Sequence, residues 1–115
     1  MKFKTEVKGN LFFISLSGDL IGEDSGLSLV EKANNAVNEG VKYCLVDISD
    51  LRYVNSSGIG VLITILTKFR NKGGEVFLMK PSEAVQKLLI ITKLNAIFQI
   101  VNSEDEAQKL IENTR

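Results

Sequence analysis

Asn55-Ser56-Ser57-Gly58-Ile59-Gly60 sets two adjacent hydroxyls where a strongly apolar helical run begins. The first turn of a helix carries backbone N–H groups without intrahelical acceptors and a partial positive charge, so an anion placed there is stabilised by about 0.3–1 kcal/mol. A phosphate on Ser56 or Ser57 would sit there without damaging the fold. The same residue types have a structural use, because serine and asparagine are ordinary N-caps worth about 1 kcal/mol, and either Asn55 or Ser56 fits that role. Gly58 and Gly60 lack the third glycine and the following Lys-Ser/Thr of a phosphate-binding loop, so tight helix–sheet packing accounts for them better. Asp47 and Asp50 are a carboxylate pair for Mg²⁺ only on paper. Phosphotransfer needs further acidic ligands nearby, and Asp50 fits a turn-stabilising role.

Composition removes other chemistries. Histidine is absent and Cys44 is the only cysteine, which excludes a Ser-His-Asp or Cys-His nucleophile pair and any site built from several nitrogen or sulfur ligands. No enzyme activity, metal or cofactor is expected. Cys44 lies in an apolar run, where a free thiol behaves as a small buried hydrophobe. Fourteen basic residues balance fourteen acidic ones, with neither sign concentrated enough for a nucleic acid or an anionic membrane surface. Met1-Lys2-Phe3-Lys4-Thr5-Glu6 lacks the apolar centre of a signal peptide and no segment approaches the length of a membrane span, so the expected address is cytoplasmic. Zero net charge permits weak self-association, and the free chain is expected to be a monomer or a weak dimer.

The elements that must position the serines follow from periodicity. The 115 residues fit one domain, 1–115, with its own core. Phe3, Thr5 and Val7 alternate with charged residues and Leu11 to Ser17 is rich in strand formers after Gly9-Asn10, predicting an opening hairpin closed by Gly18-Asp19. Leu29, Val30, Ala33 and Val37 recur at helical spacing between about Asp24 and Glu39, ahead of Gly40 as a C-cap glycine. Tyr43 to Ile48 reads as a buried strand, Ser56 to Lys72 as the second helix ended by Gly73-Gly74, and Val76 to Met79 as the next strand. Pro81-Ser82 opens a shorter helix through Val85, Leu88 and Leu89. Ile97 to Val101 supplies the last strand, and Ser103 with Glu106 forms a capping box for a helix carrying Ala107, Leu110 and Ile111. The fold class is α/β: a mixed sheet of about five strands, parallel in its later strands, packed with about four helices.

On the second helix, Ile59, Leu62, Ile63, Leu66 and Phe69 share one side and are predicted to face the sheet. Ser57, Val61, Thr64, Ile65 and Lys68 fall opposite. Val61 and Ile65 are thereby candidates for a docking face in line with the serine turn, unless another segment of the chain covers them.

With these residues in place the chain resembles a STAS domain (sulfate transporter and anti-sigma-factor antagonist), most closely the small stand-alone antagonists. The resemblance covers nearly the whole length. It is carried by Asp47-Ile48-Ser49-Asp50-Leu51 and Asn55-Ser56-Ser57-Gly58-Ile59-Gly60-Val61-Leu62, with Gly73-Gly74-Glu75-Val76 and Ile91-Thr92-Lys93-Leu94 to Phe98 downstream. It implies an anti-sigma factor antagonist that binds an anti-sigma factor serine kinase and is switched off by phosphorylation, reversed by a serine phosphatase. The implied phosphorylation position is Ser56, with Ser57 second. The implied partner surface is Ile21, Gly22, Asn55, Ser56, Ser57, Gly58, Val61 and Ile65. Asn55 stands where such antagonists usually have Asp, and Ile21 replaces another frequent acidic residue. An alternative within the family is a STAS scaffold or transporter-associated subunit that is not phosphorylated.

Overall fold

The computed structural model describes residues 1–21 and 24–113. Its elements are β1 (Lys2–Lys8), β2 (Leu11–Leu20), α1 (Asp24–Asn38), β3 (Tyr43–Val54), α2 (Ser56–Arg70), β4 (Glu75–Met79), α3 (Glu83–Ile91), a single 3₁₀ turn at Leu94–Ala96, β5 (Gln99–Val101) and α4 (Glu104–Asn113). The sheet runs β1-β2-β3-β4-β5 in chain order. β1 and β2 pair antiparallel across Gly9-Asn10, and every later pairing is parallel. This is the expected mixed α/β sheet.

Parallel neighbours in chain order need helical crossovers of one hand, which stacks successive helices on one side. α1, α2 and α3 accordingly bury Leu29, Ala33, Leu62, Leu66, Phe69, Val85 and Leu89 against Phe12, Ile14, Cys44, Val46, Val76 and Leu78. Phe69 stacks on Phe12 with ring centroids 6.4 Å apart. On the other side, among the described residues, α4 alone packs Ala107 and Ile111 against Leu11, Leu45, Phe77, Met79 and Val101. Burial pushes the Cys44 thiol far above its ordinary range, so it is packing rather than a nucleophile.

Local capping defines the helix ends. Ser82 Oγ accepts from Val85 N–H at 3.3 Å and starts α3. Ser103 Oγ accepts from Glu106 N–H at 3.1 Å, while the Glu106 carboxylate reaches back one residue further than a standard capping box, to Asn102 N–H at 2.9 Å. After α2, Arg70 holds the Glu75 carboxylate through Nε at 3.0 Å and also donates to the Ile97 carbonyl. Gly74 is required there, because an added Cβ would lie 1.6 Å from the Lys42 carbonyl oxygen.

The structure departs from the sequence expectations in three strands. Gly18-Asp19 does not close β2, which continues to Leu20 with Gly18 at φ +85°. β3 does not stop at Ile48 but continues to Val54, so Asp50 lies within a strand opposite Ser17 rather than in a turn. Between the Ser15–Asp47 and Ser17–Asp50 pairs β3 advances one residue more than β2, and it does so again between Gly18–Leu51 and Asp19–Tyr53. These bulges convert the burial period of β3 from two to three, so that Ile48, Leu51 and Val54 face inward. A period-two pattern cannot reveal such a strand. The last strand begins at Gln99 rather than Ile97, because Ile97 and Phe98 donate their N–H groups to the Leu94 carbonyl at 3.1 and 3.0 Å and close the 3₁₀ turn.

Candidate functional site

The two bulged strands end side by side, with Leu20 paired to Val54, so Ile21 and Asn55 leave the sheet together. Asn55 joins the two chain segments through its backbone and side chain. Its N–H donates to the Leu20 carbonyl at 3.2 Å and its Nδ2 donates to the Ile21 carbonyl at 3.4 Å. Its Oδ1 accepts from Gly58 N–H at 2.8 Å and its backbone carbonyl accepts from Ile59 N–H at 2.9 Å. Asn55, in extended geometry at φ −96°, is therefore the N-cap of α2, and Ser56 and Ser57 are its first two helical residues.

Both serines are exposed. The N–H groups of these two positions have no acceptor within the helix, and the dipole places partial positive charge beside them. Gly58 beneath them is buried, and a Cβ added to it would meet the Leu20 carbonyl oxygen at 2.1 Å. Close packing of helix on strand thus explains Gly58 as expected. It does not explain Gly60, which is exposed with nothing within 4 Å of an added Cβ.

The docking face predicted on α2 is rotated from the observed one. Ile65 is only 1% exposed and belongs to the core, so it cannot contact a partner. Val61 is partly buried, and an added Cβ on Gly26 of α1 would lie 3.1 Å from Val61 Cγ2. Lys68 Nζ donates to Asn34 Oδ1 of the same helix at 3.3 Å. α1 is the segment that covers this side. Ile63, assigned to the sheet by periodicity, is 38% exposed. The outward stripe of α2 is Ser56, Gly60, Ile63 and Thr67, with Ser57 and Thr64 beside it. Thr64 and Thr67 donate their hydroxyls to the Gly60 and Ile63 carbonyls at 2.8 and 2.9 Å, and the stripe carries no charge until Arg70 in the last turn.

Ile21 is 42% exposed beside Asn55. Gly22 lies outside the described residues. The sequence reading missed the neighbouring pair Asp19 and Arg52, whose Nε–Oδ1 and Nη2–Oδ2 distances are 2.9 and 2.7 Å. The Arg52 hydrogen bond holds the Asp19 carboxyl below its ordinary range. Tyr53, half exposed, pairs with Asp19 across the second bulge. Strand register alone brings these residues to the site, and no local signal marks them. Asp47 Oδ1 accepts both the N–H and the Oγ–H of Ser49, at 3.0 and 2.7 Å, beside the first bulge.

A mixed sheet whose second and third strands deliver a capped, hydroxyl-bearing helix N-terminus to an exposed edge defines a small α/β module with a surface-type site. The chain belongs to the STAS domain family, whose profile matches residues 2–107. It is 34% identical over 71 residues to a candidate anti-sigma factor antagonist of Thermotoga neapolitana, a match covering 62% of this chain and 63% of that protein. The chain thus spans less than two thirds of that curated relative. Among solved structures, a candidate anti-sigma factor antagonist of Thermotoga maritima superposes with a TM-score of 0.84 at 22% identity, covering 96% of this chain and 94% of that one. The phosphorylated form of the Bacillus cell fate determinant SpoIIAA superposes with a TM-score of 0.73 at 22% identity, covering 99% and 100% of the two chains. These structural likenesses establish the fold. Among the described residues no helix is long and apolar enough to cross a membrane.

Proposed function

We propose that residues 1–115 form one protein-binding module, an anti-sigma factor antagonist that engages an anti-sigma factor serine kinase and is switched off when that kinase phosphorylates Ser56; a serine phosphatase reverses the modification. The observation that carries this reading is the exposed Ser56-Ser57 pair on the N-terminus of α2, fixed beside Ile21 by the Asn55 cap. The relatives' names support it, as does the solved phosphorylated form of SpoIIAA. The contact surface is Ile21 with the adjoining Gly22, Asn55, Ser56, Ser57, the backbone at Gly58 and the rim of Val61, extended along Gly60, Ile63 and Thr67 in place of Ile65.

A phosphoserine adds about −1.5 to −2 charge. On its own helix that charge meets orphan amides and the positive end of the dipole. Against an apolar or acidic partner surface it must be desolvated, and a penalty of about 3–4 kcal/mol lowers affinity by two to three decades. Binding and folding therefore respond differently. Ser56→Asp is expected to unfold at a near-normal temperature while losing partner affinity; a variant that unfolds would leave Ser56 a structural residue.

Asn55 favours a second reading, a constitutive scaffold or transporter-associated subunit. Its Nδ2 donates to the Ile21 carbonyl, a bond that an ionised Asp cannot make. The deciding experiment incubates the protein with the candidate serine kinase from its own genome and ATP, then maps phosphate by intact mass and peptide sequencing. Modification at Ser56, or failing that Ser57, establishes the switch. Stable binding without transfer selects the scaffold, and neither binding nor transfer removes the kinase as partner.

A further inference from the structure

We propose that the outer edge of β1 is a self-pairing surface, through which two copies of this chain join antiparallel about Thr5 into one continuous sheet. Among the described residues β1 pairs with β2 on one side and with no strand on the other, while the opposite edge strand, β5, spans just Gln99–Val101. A two-residue hairpin closes on a hydrogen-bonded pair, here Lys8 and Leu11, and antiparallel ladders alternate bonded and non-bonded pairs. The amides and carbonyls of Phe3, Thr5 and Val7 are thereby turned to the open edge. Pairing Thr5 with Thr5 of a second copy sets Phe3 opposite Val7, twice, in bonded positions.

The side chains agree with that register. Lys4 of one copy falls opposite Glu6 of the other in the non-bonded pairs, where side chains approach most closely, and the twofold axis repeats the contact. Sliding by two residues in either direction loses one of the three bonded pairs within β1 and opposes Lys4 with Lys4 or Glu6 with Glu6 on the axis, although the slide about Lys4 also sets Lys2 opposite Glu6. Val7, 49% exposed, gains an aromatic neighbour. The end pair, Lys2 against Lys8, is like-charged; Lys8 already lies 3.7 Å from carboxylate oxygens of both Glu6 and Glu104, which offset its charge. Lysines on an exposed edge ordinarily discourage pairing. Here the glutamate among them makes another copy acceptable, and the register about Thr5 is the one that uses all three outward residues, Phe3, Thr5 and Val7.

Sedimentation equilibrium of the full chain from micromolar to millimolar concentration tests this. The expected result is a monomer–dimer equilibrium. Lys4→Glu and Glu6→Lys should each raise the dissociation constant at least about tenfold, and an equimolar mixture of the two variants should restore dimer, because both pairs between positions 4 and 6 are again of opposite sign. Thr5→Pro removes an outward N–H without touching the β2 ladder and should abolish dimer; its far-ultraviolet circular dichroism checks folding, and the exposed charge variants stand independently of it. A chain that stays monomeric throughout, or a dimer indifferent to the charge variants and their mixture, overturns the proposal.

Discussion

The two sides of α2 are made of similar residues and do opposite things. The inner side, Gly58, Leu62, Ile65, Leu66 and Phe69, is closed by the sheet and α1 to the point where one added carbon at Gly58 meets a backbone oxygen. The outer side, Ser56, Gly60, Ile63 and Thr67, is open, uncharged until Arg70 in the last turn, and has room to spare at Gly60. An isoleucine and a glycine occur on each. What separates them is where α1 lies, so residue type on this helix reports neither burial nor function by itself.

Substitutions of the paired residues sharpen that contrast. Ile65→Ala should cost about 2–5 kcal/mol of stability, as truncation of a fully buried aliphatic does; a loss below 1 kcal/mol in chemical denaturation would return Ile65 to the surface. Gly58→Ala should cost about 1–3 kcal/mol despite alanine's better helix propensity, because the Leu20 carbonyl blocks the methyl group. Gly60→Ala, two residues on, should stabilise by about 0.5–1 kcal/mol through helix propensity alone. Opposite signs for the two glycines in thermal unfolding would establish the comparison, and equal signs would break it.

Elements closed by local chemistry were legible in the sequence. Ser82 and Ser103 cap their helices as their types suggest, and Gly9-Asn10 turns the hairpin. The hydroxyl-bearing start of α2 was legible too, including the choice of Asn55 or Ser56 as cap, which the Gly58 N–H bond decides for Asn55. Two features were not. The second half of β3 keeps its pairing through bulges that only the neighbouring strand reveals, since Ile48, Leu51 and Val54 carry neither a helical nor a regular strand period. The outward face of α2 does not follow from its own pattern, because apolar residues occupy most of its circumference and α1, lying against Val61 and Lys68, closes a side that no local pattern on α2 encodes.

The sheet order repeats the chain order. During synthesis each new strand therefore finds its neighbour already made, and no early strand must hold an open edge for a distant segment to arrive. Each parallel pairing still closes a loop of one helix and its connections, as from Leu11 to Tyr43 and from Tyr43 to Glu75, so chain order keeps these closures to a single crossover without making the contacts local. A nascent chain of this kind can assemble stepwise as it leaves the ribosome, with β5 and α4 closing the structure last.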